Sequence, residues 1–578
     1  MNTVKAVQHY VDKMVSSTAV PGMKVLLLDR ETKGIISMVY TMSQILEREV
    51  YLVETLEAAH ESMMHMKALC FLRPVPENIA LLKEELKSPK YSEYHIFFSN
   101  ILPQDYLRQL AEADEHCAVK SVQEFYADYY AINADFFSLN LGQSLSLSGP
   151  RASWPSVTSR IFDRAVQGLI SALLSMKVRP FLRYSANSEV ATLFTRKIQS
   201  EIKNWYELFD FRRTEGSRTV LLVLDRRDDP VTPLLMQWTY QAMVHELLGL
   251  RNNRVDMSKV PGIKPELREV VLSAEQDPFF AANCYANMGD LGEAVKELLD
   301  SYQAERSTHD NIASVADMER FVERYPELRK RSTAVGKHVA TMGQLVRFVD
   351  ERALMDVSGT EQNVACSDGQ TAQYREICEH IANPAVTKVD ALKLVMLYAL
   401  RYETARSSHL DELKAALVRD KGLSGEQLRW IDALLQYGGA AVRSGDLFGN
   451  KSIISKVARS MKRSVAGVAN VFTQHEPLVT SLLDQLARGK LSKTAFPFQG
   501  PELSAAPTNV IVFILGGATY EEAAKVAALN AAGTGPHVIL GGTFVHNSRT
   551  FLDELAMRGS SSFGGAAGGA GGAAGGRI

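Results

Sequence analysis

Cysteine is scarce in this sequence: 578 residues carry five, Cys70, Cys117, Cys284, Cys366 and Cys378, and no CxxC pair occurs. That spacing argues against a disulfide framework and a zinc site, and it suits a reducing compartment. An excess of one charge is also missing. The 64 basic and 66 acidic residues leave a net charge of -2, which argues against nucleic-acid affinity built on phosphate neutralisation and gives no polybasic membrane signature. No apolar run approaches the roughly 18 residues of a membrane span, and the first residues, MNTVKAVQHYVDKMV, read as an amphipathic helix without a cleavable signal pattern. The expected location is the cytosol. What is present is an ordinary globular composition, 46% hydrophobic and 22% charged, in a chain long enough for about three or four domains.

The strongest local pattern runs from Arg218 to Gly249. Thr219–Leu224 is a continuous apolar, β-rich run ending at Asp225, Asp228 and Asp229, and it reads as a strand buried on both faces. Beyond Pro230, Thr232 reads as an N-cap with Pro233 in the first helical position. Tyr240, Met243, Val244, Leu247 and Leu248 then share one helical face, and Gly249 stops the helix.

Residues 1 to about 135 alternate between strand and helix periods. After the first helix come strands at Lys24–Leu28 and Val50–Val53, with a helix at Ile35–Leu46 between them and another at Glu57–Met66 after them. Ala68–Leu72, Tyr94–Phe98 and Val119–Phe125 are further strands, separated by helices at Glu77–Leu86 and Gln104–Ala113. This βαβα order predicts a doubly wound parallel sheet. Such sheets hold nucleotides at their strand ends, yet the first connection, DRETKG, lacks a glycine-rich phosphate loop. Residues 141–156 read as a linker, followed by helices at Ile161–Met176 and Glu189–Phe211. Helical patterns dominate from about 250 to 500, and strands return at Asn509–Leu515 and His537–Leu540. One sheet completed by both flanks of a long helical insertion is the simplest account. The ending GSSSFGGAAGGAGGAAGGRI has almost nothing to bury and is expected to be disordered.

The catalytic candidates are weak. His245 and Glu246 begin an HExxH pattern, but Gly249 replaces the second histidine. Gly445, Gly449, Lys451 and Ser452 have the wrong spacing for a phosphate loop. Gly516 and Gly517 precede Thr519 and Glu522, a capping box opening a helix. That arrangement can hold a phosphate; tight strand–helix packing is the preferred reading. Asp225, Asp228 and Asp229 suit magnesium, but capping turns and pairing with Arg226 and Arg227 are favoured. No catalytic residue, metal ligand or cofactor is therefore assigned. A magnesium-dependent phosphotransferase or nucleotidase on the α/β domains stands as the alternative function.

In the helical block, Asn311–Val322 and Ser332–Val349 form a pair. Val335, Val339, Met342, Val346 and Val349 make a heptad seam, expected to pack on the first helix as core and otherwise able to dock another helix. Pro326, in RYPELRK, is the expected breaker between them.

The stretch DRRDDPVTPLLMQWTYQAMVHELLG resembles the signature of the SM (Sec/Munc-like) family of syntaxin-binding SNARE regulators. FILGGATYEEA with HVILGGTFVHNSRTFLDEL resembles the family's C-terminal segment, and KVLLLDRETKGIISMVYTMSQILEREVYLVETL its first domain. The resemblance extends from residue 1 to about 556. GMKVLLLD, VYLVE, FLRP, SLNL and QWTYQAMVHELLG are most similar to the family's vacuolar-protein-sorting branch, which serves the endosomal and trans-Golgi pathway. The resemblance implies an α/β plus α protein, a three-domain arch of two parallel-sheet α/β domains with a large helical domain inserted. The implied division is a first domain at 1–135, a second domain at 136–230 closed by 481–556, a helical third domain at 231–480 and a tail at 557–578.

A family member of this kind is not an enzyme and needs no cofactor. Its implied partners are a syntaxin-type Qa-SNARE of the endosome or trans-Golgi, the assembled SNARE complex and endosomal tethering factors, with no nucleic acid. Its implied place is the cytoplasmic side of Golgi, endosomal and vacuolar membranes, reached only through partners. Carried over by position, Leu107, Leu110, Val119, Val122 and Glu124 form the pocket for the syntaxin's N-terminal peptide. Glu54 and Trp238 belong to the cleft for its helical part. Gly34 and Thr41 stand where the neuronal member has basic residues, a departure that favours the peptide pocket over the cleft. Residues 311–349 correspond to the SNARE-templating hairpin, with Pro326, Val335, Val339, Met342, Val346 and Val349 on it. Asp225 and Asp228 are expected to brace the domain junction with Arg226, and Trp238 and Tyr240 to pack within it or line the cleft.

Overall fold

The computed structural model describes residues 1–16, 20–59, 61–211, 218–309, 315–445, 447–448, 472 and 474–562. The first sheet is parallel and ordered β2-β1-β3-β4-β5, from β1 (Lys24–Leu28), β2 (Val50–Thr55), β3 (Met63–Leu72), β4 (Tyr91–Phe98) and β5 (Val119–Glu124). Helices α2 (Arg30–Val39), α3 (Met42–Leu46), α4 (Pro76–Lys87) and α5 (Gln104–Ala113) flank it, and α1 (Thr3–Val15) packs beside α2, with Thr3 bonded to Asn133 and Ala134. The DRETKG turn serves capping: buried Asp29 accepts the Glu31 and Thr32 N–H groups at the start of α2 and ties in Arg73 N and Asn78 Nδ2, both at 2.7 Å. Two expectations fail here. Ile35–Leu46 is two helices, because Thr41 caps a separate α3 with Gln44. The helix expected at Glu57–Met66 is absent. β3 already starts at Met63, paired with Tyr91 of β4, so strand pairing overrides helix propensity.

The second sheet is ordered β12-β8-β9-β13-β15-β7-β6. Its strands are β6 (Tyr130–Asn133), β7 (Phe136–Ser138), β8 (Phe181–Tyr184), β9 (Thr219–Asp225), β12 (Phe498–Gln499), β13 (Asn509–Leu515) and β15 (His537–Gly542). It therefore begins at Tyr130, ahead of the expected division. Two small pairs stand apart: β10 (Arg254–Asp256) with β11 (Glu269–Val271), and β14 (Ala518–Thr519) with β16 (Val545–His546). At its centre β9 and β13 pair in parallel, Leu221 opposite Ile511 and Asp225 opposite Leu515. Both flanks of the insertion thus build one sheet. Helices α6 (Ser156–Ser175) and α7 (Glu189–Asn204) pack against it.

No long helix starts at Pro233. Thr232–Leu234 is a single tight turn, Leu235–Trp238 is buried and non-helical, and α8 (Tyr240–Leu247) begins after Thr239. The helical domain follows with α9 (Pro278–Asn283), α10 (Met288–His309), α11 (Val315–Glu351), α12 (Leu354–Cys366), α13 (Gln370–Ala382), α14 (Lys388–Tyr402), α15 (Leu410–Lys421) and α16 (Gly425–Gly438). α14 is buried all round from Asp390 to Leu400 and centres a second core. The long hairpin is α10 with α11. The backbone of α11 stays helical through Pro326, so the breaker expected there does not interrupt it. Of the expected first helix, Asn311 to Ser314 lie outside the described residues and the rest belongs to α11. After α17 (Leu478–Ala487) and α18 (Tyr520–Ala532), α19 (Ser548–Ser562) continues past 556 into the expected tail, and 563–578 lie outside the described residues.

Candidate functional site: a buried junction and two exposed faces

The acidic run after β9 is wholly engaged by the protein. Asp225 accepts Ser188 Oγ at 2.7 Å and Arg227 N at 3.1 Å, and pairs with Arg227 Nε at 3.3 Å. Asp228 accepts Ser185 Oγ at 2.9 Å and Ser444 N at 2.8 Å. Asp229 accepts Thr232 N at 3.0 Å, Thr232 Oγ1 at 2.6 Å and Leu478 N at 3.1 Å. Arg226, 1% exposed, donates from Nη2 to both Glu522 oxygens at 2.6 Å, from Nε to Gly517 O at 3.0 Å and from Nη1 to Asp229 O at 3.0 Å. The expected brace is thereby corrected: Arg226 takes Glu522, while Asp225 takes Arg227. Burial pushes the Glu522 and Asp225 carboxyls up, against the pull of these guanidinium groups. Asp229 lies below its usual value: burial opposes this, but the charges of Arg226 and His475 and the hydrogen bonds from Thr232 and Leu478 outweigh it.

The glycines and the partial HExxH serve the same junction. Gly516 and Gly517 have φ of +85° and +93°, and a Cβ on Gly517 would lie 2.5 Å from the His546 ring. They allow close packing. His245 is buried edge-on against Tyr520 at 5.0 Å, and burial pushes its imidazole down to about 4. Glu246 accepts the Ser548 N–H at 2.9 Å and its hydroxyl, fastening α8 to α19. Among the described residues no group of three or more His, Cys, Asp or Glu is arranged to hold a metal ion. Gly449, Lys451 and Ser452 lie outside the described residues.

One exposed face is carried by α5 and β5. β5 is an edge strand, paired with β4 on one side only. Leu107 is 44% exposed on α5, and Val119 and Val122 are half-buried on the open edge strand β5. Leu110 points into the core at 2% exposure. Glu124 accepts Leu102 N and Tyr126 OH, both at 2.7 Å, and so fixes the segment entering α5. On the other edge strand, β2, Glu54 is half-buried opposite Leu27.

The other face belongs to the hairpin. The seam expected from the heptads divides: Val335 and Val349 are buried, Met342 is half-buried, and Val339 and Val346 are 38% and 36% exposed. The buried stripe runs instead through Val335, His338, Thr341, Leu345 and Val349. Two of its members are polar, so an apolar count misses them. His338 Nε2 lies 2.9 Å from Asp277 Oδ2 and its Nδ1 3.0 Å from Tyr240 OH, while Lys337 also pairs with Asp277. Burial alone would raise the Asp277 carboxyl, but His338 and Lys337 hold it well below the usual range. Trp238 is 3% exposed, donates to Ser358 Oγ at 2.8 Å and stands beside Phe472 at 5.7 Å. It borders an apolar cavity of about 500 Å³ with Met288, Gly292, Met342 and Met355. Nothing in the apolar periodicity points to Arg226–Glu522 or Asp277–His338; only the capping box marked Glu522.

The Sec1 family model matches residues 24–554. The chain is 46% identical over 565 residues to the vacuolar protein sorting-associated protein 45 of Rattus norvegicus, covering 97% of each chain. It is 43% identical over 558 residues to that of Dictyostelium discoideum, covering 96% of this chain and 97% of the relative. A solved structure described as SM protein Vps45 in complex with the Qa SNARE Tlg2 (1-310) superposes with a TM-score of 0.90 at 43% identity, over 98% of this chain and 99% of that one. With the family signature forming the junction between the helical domain and the second sheet, the chain belongs to the Sec1 family of SM proteins.

Proposed function

We propose that this protein is a non-enzymatic regulator of vesicle fusion in endosomal, trans-Golgi and vacuolar trafficking, which binds a syntaxin-type Qa-SNARE and promotes SNARE assembly. The observation that carries this reading is the match over 98% of the chain to a relative solved with its Qa SNARE. The N-terminal peptide of the partner is assigned to Leu107, Val119 and Val122: exposed and half-buried apolar side chains on α5 and on an open edge strand suit an apolar anchor on an extended peptide. Glu54 and the Trp238 cavity are assigned to the helical part, and exposed Val339 and Val346 to a SNARE helix laid along the hairpin. The engagement of Asp225, Asp228 and Asp229 by internal donors favours this over phosphotransfer. Among the described residues no helix is long and apolar enough to cross a membrane, in keeping with membrane contact through partners.

The test is a titration of a fluorescent synthetic peptide copying the N-terminus of a syntaxin. Saturable binding is expected, weakened about tenfold or more by Leu107→Arg and by Val122→Arg, with the melting temperature of Leu107→Arg unchanged. Absence of binding, together with magnesium-dependent ATP turnover abolished by Asp225→Asn, would reverse the assignment.

A further inference from the structure

Helix α11 meets the rest of the molecule through a polar cluster as well as an apolar stripe. Of its described side chains, Arg331 to Ala334 are exposed and burial begins at Val335. Burial of Val335, Leu345 and Val349 draws the helix inward, but the hydrophobic effect is not directional and tolerates a small roll about the helix axis. Hydrogen bonds are directional and do not.

His338, 1% exposed, has both ring nitrogens engaged, Nε2 with Asp277 Oδ2 at 2.9 Å and Nδ1 with the Tyr240 hydroxyl at 3.0 Å. Its ring stands 4.4 Å from that of Phe279, and the Tyr240 ring stands 5.5 Å from that of Phe280. The preceding residue, Lys337, pairs with the same Asp277 oxygen and donates to Val271 O at 3.0 Å. Asp277 is itself held, because its other oxygen accepts Phe280 N at 3.0 Å and caps α9. Tyr240 opens α8 within the family signature.

Successive helix positions lie about 100° apart, so Lys337 and His338 reach one carboxylate from two directions and fix the roll of α11. The same spacing puts Val339 and Val346, one and eight positions beyond His338, about 100° and 80° round the axis from it. Both exposed valines therefore share one flank, and a roll that turned this flank inward would break the His338 bonds.

We propose that Tyr240, Asp277, Lys337 and His338 are positioning residues, which lock the roll of α11 so that Val339 and Val346 face outward to receive a SNARE helix. This role rests on the assignment of the hairpin to a SNARE helix, and it adds the groups that hold the docking flank in place. With the lock broken, only a fraction of the molecules present the flank, and the apparent affinity falls in proportion to that fraction.

Two near-isosteric variants of the full chain test the lock. Tyr240→Phe removes one hydroxyl without opening a cavity, and Asp277→Asn keeps the size and the α9 cap while removing the charge that His338 and Lys337 share. Assembly of cognate SNAREs is followed by energy transfer over a range of chain concentrations, beside titration of the syntaxin peptide and hydrogen exchange of the α11 amides. The concentration giving half-maximal acceleration should rise about threefold for Tyr240→Phe and about tenfold for Asp277→Asn, with the maximal acceleration retained. Peptide affinity should stay within about twofold of the parent, and amides 338–349 should exchange about tenfold faster. Tyr240→Phe carries the test if Asp277→Asn does not fold. An unchanged half-maximal concentration in the variants that fold overturns the proposal even if their melting temperatures drop, as does α11 exchange equal to that of the parent. Val339→Asp separates the two levels: if it slows assembly while the lock variants do not, only the positioning role fails. If the parent is inert or Val339→Asp is without effect, the hairpin assignment fails and the positioning role with it.

Discussion

Glu522 serves two structures at once: it closes the capping box with Thr519 at the start of α18 and it neutralises Arg226 inside the junction. Removing it by Glu522→Ala strands a fully buried guanidinium and should cost about 3–5 kcal/mol. The double variant Arg226→Met/Glu522→Leu removes both charges of that pair, leaves Asp229 to Thr232, Leu478 and His475, and should recover part of that loss in urea unfolding. A Glu522→Ala chain within about 1 kcal/mol of the parent would contradict this role. The buried imidazoles add to the acid sensitivity of the fold. His245 and His546 are pushed by burial to about 4 and about 3. Both are neutral in the fold and gain a proton on unfolding, so their contribution is complete above about 6.5 and falls as pH drops toward those values. Burial raises the Glu554 carboxyl to about 7, which acts with the opposite sign between 4.5 and 7. Comparing His245→Phe with the parent isolates one group: melting curves from pH 7 to 4 should show about 3 kcal/mol less acid destabilisation in the variant.

Among the elements, legibility followed burial. β1, β9 and β13 are buried along nearly their whole length, so their unbroken apolar runs identified them and suggested a split second sheet before any contact was known. β8 and β12 were unreadable because they are four and two residues long, and Arg183 in β8 is buried by donating to Leu491, Ser492 and Phe496 carbonyls rather than by being apolar. The DRRDD run was legible as a junction brace but not in its pairing, for the same reason: no periodicity shows that Arg226 is internal and reaches Glu522. On α11 the heptad count identified a helix but misplaced its buried face, which His338 and Thr341 complete. A difference follows for mutagenesis. Leu345→Ala, at a fully buried position, should cost about 2–5 kcal/mol. Val339→Asp and Val346→Asp should change stability by about 0.5 kcal/mol or less while weakening capture of a SNARE helix in a pull-down. Equal destabilisation by all three would show that the exposed valines are core after all.

At the scale of the molecule, bonds around the junction after β9 tie the second sheet to the helical insertion and to the closing segment. Arg226 and Asp229 join β9 to α17 and α18, Glu246 joins α8 to α19, and Asn133 donates to Gln241 and Tyr285 at 3.0 and 2.6 Å, linking β6 to the insertion. The family signature is therefore mainly architectural: of the surfaces proposed to meet a partner only the Trp238 cavity borders it, and the others lie along α5 and β5, at Glu54 and along α11. The rate at which cognate SNAREs assemble into a complex, followed by energy transfer with and without this chain, tests that division most directly. The chain should accelerate assembly about tenfold or more, and Leu107→Arg with Val339→Asp should abolish the acceleration while the fold stays intact. An assembly rate indifferent to the wild-type chain, or acceleration that survives both substitutions, would contradict the account.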